Sequence, residues 1–191
     1  MGKVLCFIYE GMTDFEMTFA CHLLKLFGEK ELFTIAYDKE SVSGTSGIKY
    51  LPDFTVNEVL NFNDVEALII PGGWSSGDRK EIFTLIKKLH SEEKLLCAIC
   101  AGPIYLAKAG ILKGYSYTTT LERENLKNLG EMYDPFPRET YVDKGVIRDR
   151  NIITAKGNSF VDFGVEIFDA MNLFADDGEK IQCAKHYKGN D

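Results

Sequence analysis

The chain has 191 residues, 45% of them hydrophobic, 12% aromatic and 27% charged. At about 100–200 residues per domain this is one domain, 1–191, large enough for a real core, and the composition excludes disorder, a collagen-like repeat and a simple coiled coil. The 22 Lys and Arg against 29 Asp and Glu leave a net charge of −7 with no basic run, which argues against nucleic acid and anionic membranes as partners.

No apolar run approaches the roughly 20 residues of a membrane helix. The longest, such as Ala67–Ile70, stops at Pro71. The start, Met1-Gly2-Lys3-Val4-Leu5, leads into a strand-like segment without the features of a secretory leader, so a cytoplasmic protein is expected. Five cysteines, Cys6, Cys21, Cys97, Cys100 and Cys183, are an odd number in mostly apolar surroundings and read as reduced thiols.

In chain order, a strand is expected over 4–9, a helix over about 14–27 and a strand over 33–37, a β-α-β start. The turn-rich stretch 41–47, followed by 48–51 and Pro52, reads as a peripheral excursion. A buried strand ends at Pro71-Gly72-Gly73, and a helix presenting Ile82, Leu85, Ile86 and Leu89 follows, then a strand over 94–99. A helix is expected over 103–109, closed by Gly110, and a strand over 115–119. Beyond it, 141–142 and 146–147 suggest a hairpin around Asp143-Lys144-Gly145, with a returning strand over 151–155 and a long helix over about 160–174. Strands alternating with helices imply a mainly parallel sheet covered on both faces.

Three features break the local rules. At about 100° per residue, Glu16 falls on the apolar stripe with Ala20, Leu23 and Phe27, while Asp14, His22 and Lys25 fall on the far side. A carboxylate on a buried stripe must be neutral, paired or hydrogen-bonded. The bland alternative is a capping box, with Thr13 as N-cap and Glu16 at the third helical position. Next, Ala98-Ile99-Cys100-Ala101-Gly102-Pro103 joins a buried strand to a helix, with small residues flanking the cysteine and a proline suited to the first turn. That is the pattern of a nucleophile elbow, whose central side chain projects at the strand's carboxyl end. The helix N-terminus there is expected to lower the thiol pKa, although a lone buried cysteine is ordinarily a small hydrophobe. Finally, Gly72 and Gly73 after a buried strand let the backbone approach a ligand and offer N–H groups to an oxyanion, or else form an ordinary turn. All three fall where α/β sheets bind ligands. Trp74 and Tyr105, with Gly72, are candidates to line the site.

Taken together, Glu16, Pro71-Gly72-Gly73 and the elbow string resemble the ThiJ/PfpI family, the DJ-one superfamily, over nearly the whole chain. Ile153-Thr154-Ala155-Lys156-Gly157 before the last long helix adds weaker support. The resemblance implies a flavodoxin-like three-layer sandwich with a small β-hairpin excursion, related to class I glutamine amidotransferases and assembled as a homodimer or larger. It implies Cys100 as nucleophile, Glu16 as a protonated hydrogen-bond donor to the thiolate, and the Gly73 and Ala101 N–H groups as oxyanion hole. Activities in the family include peptidase or amidase action, glyoxalase and deglycase action, isonitrile hydration, chaperoning and oxidative-stress sensing, and fold alone does not choose among them. Protease-like members carry His directly after the cysteine, where this chain has Ala101. Members with Ala there often have His in the loop after the next strand, where this chain reads Thr118-Thr119-Thr120-Leu121.

Other chemistries are weaker. Cys97-x-x-Cys100 and Cys183-x-x-His186 could supply four zinc ligands, but the first pair lies on an apolar strand and the second is far away in sequence. No G-x-G-x-x-G or G-x-x-x-x-G-K-[ST] occurs, so neither a metal nor another cofactor is expected. The expected function is a cysteine enzyme acting on a small carbonyl compound, glyoxalase-like, or an amide. The alternatives are a stress sensor or chaperone working through oxidation of Cys100, and an intracellular cysteine peptidase.

Overall fold

A computed structural model describes residues 2–74 and 79–190. The chain opens with strand β1 (Lys3–Phe7), helix α1 (Phe15–Leu26) and strand β2 (Glu31–Ala36). Two short strands, β3 (Val42–Ser43) and β4 (Lys49–Tyr50), pair with each other as a separate antiparallel hairpin, the peripheral excursion expected. Then come β5 (Phe54–Thr55), α2 (Val56–Val59), β6 (Val65–Ile70), α3 (Lys80–Ser91), β7 (Leu95–Ile99), α4 (Pro103–Lys108) and α5 (Arg123–Leu126). The last part holds β8 (Val146–Asp149), β9 (Ile152–Ala155), α6 (Phe160–Ala170) and α7 (Asp177–Lys188).

The main sheet has seven strands in the order β5-β2-β1-β6-β7-β9-β8, all parallel except β8 at the edge. Its central strands read as continuous apolar runs because both faces are covered: Leu5, Leu68, Leu96 and Ile153 are all fully buried. Helices α1 and α6 pack together, as do α3 and α4. This is a flavodoxin-like α/β fold. The chain leaves β1 toward β2 on one side and later places β6 on the other, creating the switch point where such sheets bind ligands, beyond the strands' carboxyl ends.

Three expectations are corrected. Residues 115–119 make only an isolated bridge, Tyr117 with Tyr141. Side chains replace the ladder there: the Ser116 N–H donates to Asp149 Oδ2 at 2.8 Å and the Thr118 N–H to Thr154 Oγ1 at 2.9 Å. The hairpin forms not around Asp143-Lys144-Gly145 but between β8 and β9, with Arg150 in the left-handed region (φ 53°) at its turn. The long helix stops at Ala170, and Asn172 takes a left-handed conformation (φ 56°). After it stands helix α7, closed at one end by Asp176, whose side chain accepts from the Glu179 N–H at 2.9 Å, and at the other by Gly189.

Candidate active site

The first turn of α1 does not form a capping box. Asp14 occupies the N-cap position without a side-chain cap bond, and the Glu16 side chain turns to the sheet, where its Oε2 accepts the Gly72 N–H at 2.9 Å. Only 2% of Glu16 is exposed. Asp14, read from periodicity as lying on the far side, is also buried, because the β3–β4 hairpin folds over it. Its carboxylate accepts from the Ser46 hydroxyl and, at 2.8 Å, from the Tyr50 hydroxyl.

Cys100 stands at the end of β7 with φ 62°, in the left-handed region, a strained conformation for a non-glycine residue that clusters at functional sites. Its backbone is tied on both sides. The Cys100 N–H donates to Ala155 O at 2.8 Å, while its carbonyl accepts from the Thr120 N–H at 3.0 Å and the Thr119 hydroxyl at 2.7 Å. Those bonds hold the turn open and aim the thiol beyond the sheet.

The thiol is hydrogen-bonded to Glu16, to the Thr120 hydroxyl and to the Ala101 N–H. Thr120 Oγ1 itself accepts the Gly157 N–H at 3.0 Å, which directs the single hydroxyl proton of Thr120 toward the sulfur. Two glycines close the pair in from either side. A Cβ at Gly72 would lie 2.5 Å from Cys100 Cβ and 2.7 Å from Glu16 Oε2, and one at Gly157 would lie 2.7 Å from Glu16 Oε1 and 3.1 Å from Cys100 Sγ. Any side chain at either position would displace the acid or the thiol.

Burial pushes the Glu16 carboxyl above the ordinary range, outweighing the hydrogen bonds from Cys100 and Gly72. Burial, and then the charge of an ionised Glu16 beside it, push the Cys100 thiol up to about 12. The expectation that the elbow alone lowers this pKa is therefore corrected: desolvation and a neighbouring carboxylate outweigh the Ala101 N–H and Thr120. A thiolate at Cys100 requires the pair's remaining proton to sit on Glu16.

A cavity of about 480 Å³ opens above the pair, lined among others by Thr13, Glu16, Gly73, Cys100, Thr120 and Leu129. Trp74 stands at its rim, 78% exposed. Ala101 is also in the lining, whereas Gly72 lies behind Glu16 rather than in the wall. Tyr105, expected to line the site, is instead buried in an aromatic cluster with Phe7 and Tyr9. Gly73 bridges to Met12 through bonds that flank it, from the Thr13 N–H to Gly72 O and from the Trp74 N–H to Gly11 O, which leaves its own N–H outside the bridge.

No histidine lines this cavity. His22 Nε2 meets the Tyr187 hydroxyl, His90 Nε2 meets the Tyr115 hydroxyl, and His186 lines a separate cavity beside Phe27 and Phe168. Sequence reasoning missed Thr120, Asn125 and Asn128, which enter the cavity from the segment following α4. Thr120 stands in the Thr-rich loop where related proteins were expected to carry histidine. Gly157 was visible only as the end of the Ile153–Gly157 string.

A cysteine on a strained strand–helix turn, hydrogen-bonded to a buried acid at the carboxyl edge of a flavodoxin-like sheet, defines a class of thiol-bearing α/β proteins. Comparison with known proteins makes it specific: the DJ-1/PfpI family model matches residues 2–170, and the chain belongs to that family. An uncharacterized protease, YdeA of Bacillus subtilis, is 30% identical over 191 residues, covering 98% of this chain and 92% of its own. A deglycase of Thermococcus kodakarensis is 28% identical over 163 residues, 81% of this chain and 89% of its own. The crystal structure of a DJ-1 superfamily protein from Agrobacterium tumefaciens superposes with a TM-score of 0.80 at 25% identity, over 97% of this chain and all of that one (100%). No helix among the described residues is long and apolar enough to cross a membrane.

Proposed function

We propose that this protein is a cysteine-dependent enzyme acting on small carbonyl compounds, converting a 2-oxoaldehyde to a 2-hydroxy acid. The observation that carries the reading is the buried Glu16–Cys100 pair, enclosed by Gly72 and Gly157 and opening onto a cavity. The thiolate adds to the aldehyde carbon, and the resulting alkoxide is received by the N–H groups of Gly73 and Ala101. Glu16 gives its proton to that oxygen and, now ionised, takes the proton from the former aldehyde carbon. Returning a proton to the adjacent carbon leaves a 2-hydroxyacyl thioester on Cys100, and water releases the acid and restores the thiol.

Aldehyde chemistry ranks above amide hydrolysis because addition to an aldehyde has no leaving amine to protonate, and among the described residues Glu16 is the one acid lining the cavity beside the sulfur. A relative named as a deglycase supports carbonyl substrates, and the protease-named relative keeps amide cleavage as the runner-up. A sensor role through Cys100 also has support, since Thr120, Ala101 and a neutral Glu16 are donors suited to a sulfinate. Assembly as a homodimer, which the family resemblance implies, is a proposal for light scattering to test.

The deciding experiment is a turnover screen of wild type and Cys100→Ser on 2-oxoaldehydes and peptides. Wild type is expected to form 2-hydroxy acid and Cys100→Ser to fall to background. Peptide cleavage lost in Cys100→Ser would replace the carbonyl reading with the amidase one, and no turnover of either substrate at any pH would favour the sensor.

A further inference from the structure

Cys6 lies on β1 and Cys21 on α1, and their Sγ atoms approach to 3.3 Å. Neither lines the Cys100 cavity, and the catalytic proposal above uses neither. Cys6 is almost completely buried at 2% exposure, whereas Cys21 is half-buried and open to a small oxidant. A disulfide bond is about 2.05 Å long, so the two sulfurs need to close by only a little over ~1 Å, a distance within reach of side-chain rotation and a small shift of α1.

We propose that Cys6 and Cys21 form a reversible dithiol–disulfide couple, oxidised by hydroperoxides, that fastens α1 covalently to β1. The chemistry begins at Cys21. Its sulfur attacks a peroxide oxygen, the O–O bond breaks, and the products are a Cys21 sulfenic acid and, from hydrogen peroxide, water. The Cys6 sulfur then attacks the Cys21 sulfur: the S–S bond forms, the S–O bond breaks, and the Cys6 proton leaves with the hydroxyl as a second water. The sum is two thiols and one peroxide giving one disulfide and two waters. The order follows from the setting, because Cys6 is buried while Cys21 is only partly so, which lets peroxide meet Cys21 first and leaves Cys6, 3.3 Å away, preplaced as the resolving thiol. Because α1 also carries Glu16, the crosslink fixes the helix that presents the site's acid.

The test uses the full chain with Cys100→Ser, which leaves four of the five thiols and separates this couple from the reactive site. After treatment with hydrogen peroxide, thiol counting and peptide mapping are expected to show a Cys6–Cys21 linked peptide, two remaining thiols, and full recovery with dithiothreitol. Adding Cys21→Ser is expected to abolish the linked peptide and leave Cys6 reduced. Should Cys6→Ala fail to fold, Cys21→Ser carries the control alone, with circular dichroism confirming its fold. Cys21 oxidised to sulfinic acid without a link, a disulfide between chains, or four thiols surviving the peroxide would each overturn the proposal.

Discussion

Asp14 and Glu16 stand two residues apart at the start of one helix, and both are buried, yet their surroundings drive them in opposite directions. Burial pushes both carboxyls up. At Asp14 the hydroxyls of Ser46 and Tyr50 outweigh it and hold the group below the ordinary carboxylate range. Glu16 receives one backbone N–H and a thiol, and burial wins. Stronger desolvation with few donors at Glu16, against weaker desolvation with several donors at Asp14, thus separates a carboxylate that can hold and move a proton from one that anchors a hairpin.

The largest expected effect lies at the proton-moving acid. Glu16→Gln keeps the shape and the chance to accept the Gly72 N–H but cannot shuttle a proton, and turnover should fall about 10²- to 10⁴-fold while the protein still unfolds cooperatively. Steady-state kinetics and calorimetry on one preparation check both halves. A Cβ at Gly157 would press on Glu16 and Cys100 together, so Gly157→Ala should also cost most of the activity while the fold survives, as circular dichroism and a thiol-labelling rate would show.

At the anchoring acid the pattern reverses. Asp14→Asn replaces a charged acceptor by a neutral one in a buried site, so it should cost about 1–3 kcal/mol of stability with a much smaller effect on turnover per folded molecule. The pH dependence has opposite signs for the two groups. Asp14's folded pKa is depressed, so its stabilising contribution is present above its unfolded value, about 3.9, and is lost as pH falls through the folded one. Glu16's folded pKa is raised, so its contribution is greatest at low pH and is lost as pH rises from about 4.3 through the folded value. Urea titrations at several pH values should show the gap between wild type and Asp14→Asn closing in acid, and the gap for Glu16→Gln changing in the opposite sense. The smallest effect is at Thr120. Thr120→Val removes one donor to the sulfur, which should raise the thiol pKa and slow labelling roughly tenfold, measured by alkylation rate against pH.

Much of this arrangement is legible in the sequence. The four strands β1, β6, β7 and β9 announce themselves as short apolar runs, and the elbow string marks the turn after β7. Glu16 is detectable because a helix repeats every 3.6 residues and its phase puts it among Ala20 and Leu23. Asp14 is not, since its burial comes from Ser46 and Tyr50, more than thirty residues on, and periodicity within one helix is blind to a hairpin folded over its first turn. Residues 115–119 mislead for a related reason: they have strand composition, but Asp149 and the Thr154 hydroxyl take up the backbone N–H groups of Ser116 and Thr118. Helix α7 lacks a buried stripe, so only its caps, Asp176 and Gly189, signal it. Thr120 has no sequence signature as a thiol partner, because its role depends on Gly157 turning its proton toward the sulfur.

The account rests on where one proton sits, and a thiolate absorbance titration of Cys100 in wild type and Glu16→Leu reads that directly. With Glu16 ionised the thiol is pushed up to about 12. With the proton on Glu16, the sulfur gains a third donor and no neighbouring charge. The proposal therefore predicts that wild type titrates well below that value and that Glu16→Leu, which removes the donor, titrates higher than wild type. A wild-type thiol that ionises only near 12, together with a lower value in Glu16→Leu, would show that Glu16 holds a charge beside Cys100 rather than a proton, and would contradict the mechanism.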